Sequence, residues 1–148
     1  MQYSQSAVDL IKEFEGFSST PYKCPAGQMT IGYGHTILRS RPIQNVTEEE
    51  ATNLLRRDLF TFSNYINQRV KVTLKQCQHD ALCSLVYNWG CFNFGNSNGL
   101  RLVNQGRYSL AAIEFFSKEK GVVNIRGKFS NGLYRRRQAE LTLWESRQ

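Results

Sequence analysis

Glu15 to Thr36 reads EGFSSTPYKCPAGQMTIGYGHT. An acid opens the stretch, a cysteine follows nine residues on, and a threonine six residues after that. Upstream, Ala7, Leu10, Ile11 and Phe14 recur at helical spacing, and Gly16 is a natural stop. The spacing predicts a helix ending at Glu15, with Ser6 as its N-cap and Asp9 in its first turn. The partial negative charge of a helix C-terminus disfavours a second negative charge, which suits Glu15 to carry and donate a proton. Downstream, Cys24-Pro25-Ala26-Gly27 places Pro and Gly at the second and fourth positions of a type I turn. Pro21–Lys23 and Gln28–Tyr33 are therefore expected to pair as a short hairpin, with Lys23 pointing away from Cys24's side of the strand. Gly32 and Gly34 flank Tyr33 and permit a tight backbone or the close approach of a ligand. Helix, turn and strand can thus converge a proton donor, a second reactive group and a hydroxyl. The competing readings are a solvated glutamate and an ordinary turn.

Further along, the pattern is helical. Thr47-x-x-Glu50 is a capping box, and Ala51, Leu54, Leu55, Leu59 and Phe62 carry a long helix towards Asn67. Thr73-x-x-Gln76 reads as a second capping box, opening a helix over Leu74–Trp89. That helix is apolar on most sides, so it is the expected core helix, with Gly90 as its stop. Shorter helices are expected near Gly99–Asn104 and Leu110–Ser117, and one from Gly132 to Glu145. Strand is confined to the N-terminal part. The class is α+β, mostly helical.

Composition narrows the partners. The 148 residues suit one domain or two small lobes sharing a core. The start, MQYSQSAVDL, has neither a basic opening nor an apolar run, so no cleavable signal is expected. No stretch nears the roughly 18 apolar residues of a membrane helix, so no stable membrane insertion is expected. The reading is a chain made in the cytoplasm. Net charge is +7; residues 1–44 hold four Lys/Arg and three acids, for +1, and the remainder carries +6. That excess favours a polyanionic partner, either nucleic acid or an anionic cell envelope, or serves solubility alone. No groove-reading motif or basic helix supports nucleic acid. Cys24, Cys77, Cys83 and Cys91 form no CxxC pair, and His79 beside Cys77 completes no usual zinc spacing. Free thiols are expected, with Cys77 and Cys83 on a helix face and no metal or cofactor.

Three blocks resemble the phage-type lysozymes, endolysins of the muramidase class. The first is Glu15-x8-Cys24-x5-Thr30 with Thr30-Ile31-Gly32-Tyr33-Gly34-His35-Thr36. The second is Leu85-Val86-Tyr87-Asn88-Trp89-Gly90, and the third is Gly132-Leu133-x-x-Arg136-Arg137-x-x-Glu140. They stand in family order over about nine tenths of the chain. The resemblance implies one lysozyme-like catalytic domain over residues 1–148. An N-terminal helix would lead to a small antiparallel sheet lobe at about 17–46, then a helical lobe at about 47–148 with a long connecting helix and a C-terminal bundle. It implies a glycan-binding cleft and hydrolysis of the β-1,4 bond between N-acetylmuramic acid and N-acetylglucosamine in peptidoglycan.

In that reading Glu15 is the general acid and Thr30 sits beside the attacking water or the sugar's reactive face. Arg137 best matches the arginine that faces the acid, with Arg136 the alternative. Tyr33, His35 and Asn88 match cleft or near-cleft positions; Asn88 is the better substrate donor, and His35 is equally readable as structural. Cys24 stands where the commoner family pattern has Asp, a substitution the family carries. A thiolate can deprotonate water or attack an anomeric carbon, so retention and inversion both stay open. The implied setting is phage-induced lysis by a monomer that acts on the wall from the periplasm, after a separate holin-type protein opens the membrane. A virion-borne or secreted muramidase, and a catalytically weak wall-binding protein that has lost Asp, are the alternatives.

Overall fold

The computed structural model describes residues 1–147; Gln148, at the end of the expected helical lobe, lies outside them. Helix α1 (Gln5–Glu15) leads into strands β1 (Ser18–Lys23), β2 (Met29–Gly32) and β3 (His35–Thr36). Helix α2 (Glu48–Arg69) then connects to α3 (Gln76–Trp89), α4 (Cys91–Gly95), α5 (Asn98–Asn104) and α6 (Tyr108–Phe116). A hairpin of β4 (Asn124–Ile125) and β5 (Lys128–Phe129) precedes the last helix, α7 (Asn131–Trp144). This is the expected mostly helical, two-lobe α+β fold.

Of the apolar positions read from the sequence in the first two long helices, Ala7, Ile11, Ala51, Leu55 and Leu59 enter the core, while Leu10, Phe14, Leu54 and Phe62 are only half-buried. Ala7, Val8 and Ile11 of α1 are fully buried, as are Leu59 and Ile66 of α2. Every residue of α3 from Cys77 to Val86 is buried, and α1, α2 and α7 all pack on it. The capping box of α2 is present: Glu50 N–H donates to Thr47 Oγ1 at 3.1 Å, and Thr47 N–H donates to Glu50 Oε1 at 3.2 Å.

Two expected caps are corrected. Ser4, not Ser6, caps α1, and its hydroxyl accepts from Ser6 N–H at 3.2 Å. The reason is tertiary: Asp80 of α3 accepts from both the Ser4 N–H, at 2.8 Å, and the Ser4 hydroxyl, holding that residue in the extended cap conformation. Likewise α3 begins at Gln76, not Leu74. Its N-cap is Lys75, whose N–H donates to Gln78 Oε1 at 2.9 Å, and the Thr73 carbonyl accepts from Tyr108 OH at 2.9 Å instead. The sequence pattern also contained no sign of α4 or of the β4–β5 hairpin.

The sheet is antiparallel in the order β1-β2-β3. Tyr22 pairs with Thr30, and Thr30 with Thr36, so one row crosses all three strands. Directly paired residues share a face, and faces alternate along each strand. Ile31, on the opposite face, is fully buried in the core shared with Ala51 and Leu55 of α2. The row of Tyr22, Thr30 and Thr36 is left facing the helical lobe.

Candidate active site

Between the lobes runs a cleft of about 870 Å³. Glu15 at the end of α1, the row of Tyr22, Thr30 and Thr36, and Cys24 form one side of it. Tyr87, Asn88 and Trp89 at the end of α3 line the other side, with Arg135 and Arg136 of α7 and the tip of the β4–β5 hairpin. Glu15, Cys24, Thr30, Asn88 and Arg136 of the expected site residues are therefore brought together. Tyr33, His35 and Arg137 are not among the lining residues.

The acid is held from two directions. Gly16 caps α1, its N–H donating to the Lys12 carbonyl at 3.1 Å, which leaves the Glu15 side chain at the helix end. Arg136 Nη1 donates to Glu15 Oε2 at 3.2 Å. Arg136, 3% exposed, is itself fixed: Nη2 donates to the Ser84 carbonyl and hydroxyl, at 3.2 and 3.3 Å. The expectation that Arg137 faces the acid is thus corrected by one residue. Successive side chains on a helix diverge by about 100°, so only one of the pair can face α1. Arg137 turns inward, fully buried, with Nε 2.6 Å from Glu140 Oε1 and Nη2 donating to Glu140 Oε2 at 3.3 Å. Burial pulls its guanidinium down to about 10, against the attraction of Glu140, so it stays a cation near neutral pH.

Backbone presses on the acid from the sheet side. Gly34 has φ +81°, and a Cβ built there would lie 3.0 Å from Glu15 Cδ and 3.1 Å from each carboxyl oxygen. Only glycine leaves that room. Tyr22 lies near enough to both reactive groups that, after burial, the charges of Glu15 and Cys24 raise its phenol above the ordinary range.

Cys24 opens the turn foreseen at 24–27: Gly27 N–H donates to the Cys24 carbonyl at 2.8 Å, and Cys24 N–H to the Gln28 carbonyl at 2.9 Å. Burial works against a thiolate at this position. Hydrogen bonds from the backbone N–H groups of Gln28, Ala26 and Gly27 and from the Thr30 side chain outweigh it, and hold the thiol below its ordinary range. Thr30 is 4% exposed, and its hydroxyl also reaches the Gln28 carbonyl at 3.1 Å. One hydroxyl hydrogen can serve either acceptor. The thiols are free at all four cysteines, and Cys83 is pushed well up by burial.

Tyr33 and His35 do structural work. The Tyr33 carbonyl accepts from Tyr87 OH at 2.6 Å, tying the sheet to α3, and its ring lies against Phe17 at 5.6 Å. His35 Nδ1 sits 2.6 Å from Asp58 Oδ2 and so pins β3 to α2. The sequence reading did not select Tyr22, Tyr87, Trp89 or Arg126. A strand alternation placing Tyr22 two residues before Cys24 was the available signal for the first; Tyr87 and Trp89 lay inside the second family block.

A family model described as phage lysozyme matches residues 12–140. An endolysin of Acyrthosiphon pisum secondary endosymbiont phage 1 is 42% identical over 147 residues, which is 99% of each chain. An endolysin of Bacillus phage PZA is 40% identical over 99% of this chain but 56% of its own, so the chain spans about half of that relative. Among solved structures, the muramidase domain of SpmX from Asticaccaulis excentricus has a TM-score of 0.84 and 37% identity, with 98% of each chain covered. An acid held by an arginine, a threonine in the sheet row and matching sequence from end to end have one reading: the chain belongs to the phage lysozyme family.

Proposed function

We propose that the protein is a phage endolysin, a muramidase that hydrolyses the β-1,4 bond between N-acetylmuramic acid and N-acetylglucosamine in bacterial peptidoglycan. The observation that carries this reading is the Glu15 carboxyl, held by Arg136 in the same cleft as Cys24 and Thr30. The carboxyl hydrogen goes to the glycosidic oxygen as the bond to the anomeric carbon breaks. In one course the Cys24 thiolate takes a proton from the water that Thr30 orients as the water oxygen bonds to the anomeric carbon; in the other the sulfur bonds to that carbon first, and water, giving its proton to the Glu15 carboxylate, then displaces the thiolate. The Tyr22, Tyr87 and Trp89 rings give sugar faces flat apolar surfaces, and Asn88 offers an amide for their hydroxyl or acetamido groups. Residues 1–148 act as one catalytic domain. The intact Glu15–Arg136 pair argues against a silent wall-binding protein.

The test is clearing of chloroform-treated Gram-negative cells, with analysis of the released glycans. New reducing-end muramic acid is the expected product. Glu15→Gln keeps the shape and removes the transferable proton, so turnover falls by about 10²–10⁴-fold while the thermal midpoint holds. New reducing-end glucosamine, or full lysis by the Gln variant, overturns the assignment.

We also infer delivery from the cytoplasm through a lesion made by a holin-type protein, followed by action as a monomer in the periplasm. No helix of the described residues is long and apolar enough to cross a membrane. Expression in a Gram-negative host should cause lysis only when a holin is co-expressed. Lysis by this chain alone refutes that route.

A further inference from the structure

The β4–β5 hairpin turns through two residues, Arg126 at φ 51° and Gly127 at φ 79°. Positive φ at both positions is the type I′ pattern, which favours Asn, Asp or Gly. Arg126 is the single non-glycine residue at positive φ among those described. A side chain kept at a place where glycine is easier calls for a reason, and the guanidinium supplies one. Its Nη2 donates to the Pro25 carbonyl, 3.1 Å away and 101 residues distant in sequence, on the opposite wall of the cleft beside Cys24. Between residues 17–46 and the chain after α2, among the described residues, the hydrogen bonds are this one and Tyr87 to Tyr33.

The charge balance of the cleft says what that arm is for. Its charged lining residues are Glu15, Arg126, Arg135 and Arg136. Arg136 is engaged by the Glu15 and Glu140 carboxyls, at 3.2 and 3.7 Å, and none of the ion pairs among the described residues includes Arg126. Arg126 therefore rests on a neutral acceptor, and it and Arg135 are the cleft cations that no carboxylate among the described residues engages. A carboxylate offers the planar guanidinium two charge-assisted bonds, each stronger than one to a neutral carbonyl.

We propose that Arg126 is a specificity-determining arm that leaves the Pro25 carbonyl for a carboxylate on the bound glycan strand. The proposal rests on the lytic reading above. On such a strand the acceptor is either the lactyl carboxylate of a bare muramic acid or a carboxylate of an attached stem peptide. Side-chain rotation alone makes the exchange, so the arm selects acidic strands over neutral ones without a change in the chemistry at Glu15.

The test is steady-state cleavage of three soluble strands: peptide-bearing, peptide-stripped with the lactyl carboxylate free, and strands with all carboxylates amidated. The variants are Arg126→Gly and Arg126→Lys. Glycine fits φ 51°, so the hairpin is retained and the thermal midpoint holds or rises. Wild type should show a KM about tenfold higher on amidated strands, the value of one charge-assisted bond. Arg126→Gly should raise KM on acidic strands by about tenfold, leave kcat within about twofold, and lose the discrimination; Arg126→Lys should recover part of it. A rise on stripped strands assigns the lactyl group, and a rise confined to peptide-bearing strands assigns the peptide. If wild type cleaves and discriminates but Arg126→Gly matches it, or if KM rises equally on amidated strands, this inference fails alone. If wild type cleaves none of the three, the lytic reading fails and takes the arm with it.

Discussion

Cys24 is the residue whose chemistry is most open to measurement. Its thiol is held below the ordinary range by the turn's N–H groups and the Thr30 side chain, so the thiolate persists to lower pH than in a free cysteine. Alkylation by iodoacetamide follows the thiolate. Its rate at Cys24 should rise with pH along a curve whose midpoint lies below that of free cysteine, and activity should fall in step with modification. Cys24→Ser should lose most activity, and Cys24→Asp should retain or raise it. A fully active Ser variant reduces position 24 to packing. Gly34 gives a second residue-level test. Gly34→Ala meets both the positive φ and the Glu15 carboxyl 3.0 Å away. Left-handed backbone costs an L-residue roughly 1–2 kcal/mol, a shift of a few degrees in Tm for a chain of this size. Displacement of the acid should cost more in kcat than that loss of stability explains. A variant with reduced Tm but unchanged kcat would show that the acid tolerates the crowding.

On α7 two adjacent arginines divide the labour, and substitution should separate them. Arg136→Met removes the partner of Glu15, so specific activity falls while stability drops less than in the neighbouring variant. Arg137→Met leaves the Glu140 carboxylate buried without its nearest cation, a change worth about 3–5 kcal/mol in comparable buried pairs. Protein that still folds should keep its specific activity. Denaturant melts paired with assays on the folded fraction separate the two effects, and the reverse pattern would return the anchoring role to Arg137. Both arginines match the motif, and the choice between them depends on how α7 is rotated against α1, which no local pattern encodes. The helices themselves were legible because Leu54, Leu55 and Leu59, or Leu82, Leu85 and Val86, repeat at the helical period. The caps of α1 and α3 were misread because Asp80 and Tyr108, distant in sequence, claim Ser4 and the Thr73 carbonyl. The β4–β5 hairpin stayed hidden because two-residue strands have no alternation to read. Turn chemistry and strand spacing suggested only that Glu15, Cys24 and Thr30 could converge; their assignment as a site rested on the Glu15-x8-Cys24-x5-Thr30 match to the family motif.

Over the whole molecule, the charge of +7 meets an anionic wall. Screening acts over about 8–10 Å at physiological salt, so clearing of intact wall should weaken as NaCl rises. Cleavage of a short uncharged oligosaccharide should change little, and equal sensitivity of the two would count against capture by charge. The Glu15–Arg136 pair joins groups 121 residues apart, near opposite ends of the chain. A ribosome that has made the acid must add 121 more residues before its guanidinium partner exists. Until α7 emerges, α3 also lacks one of its packing partners. Nascent chains and fragments that stop before α7 should therefore be lytically inert. A host stocked with half-made copies would suffer no damage from them.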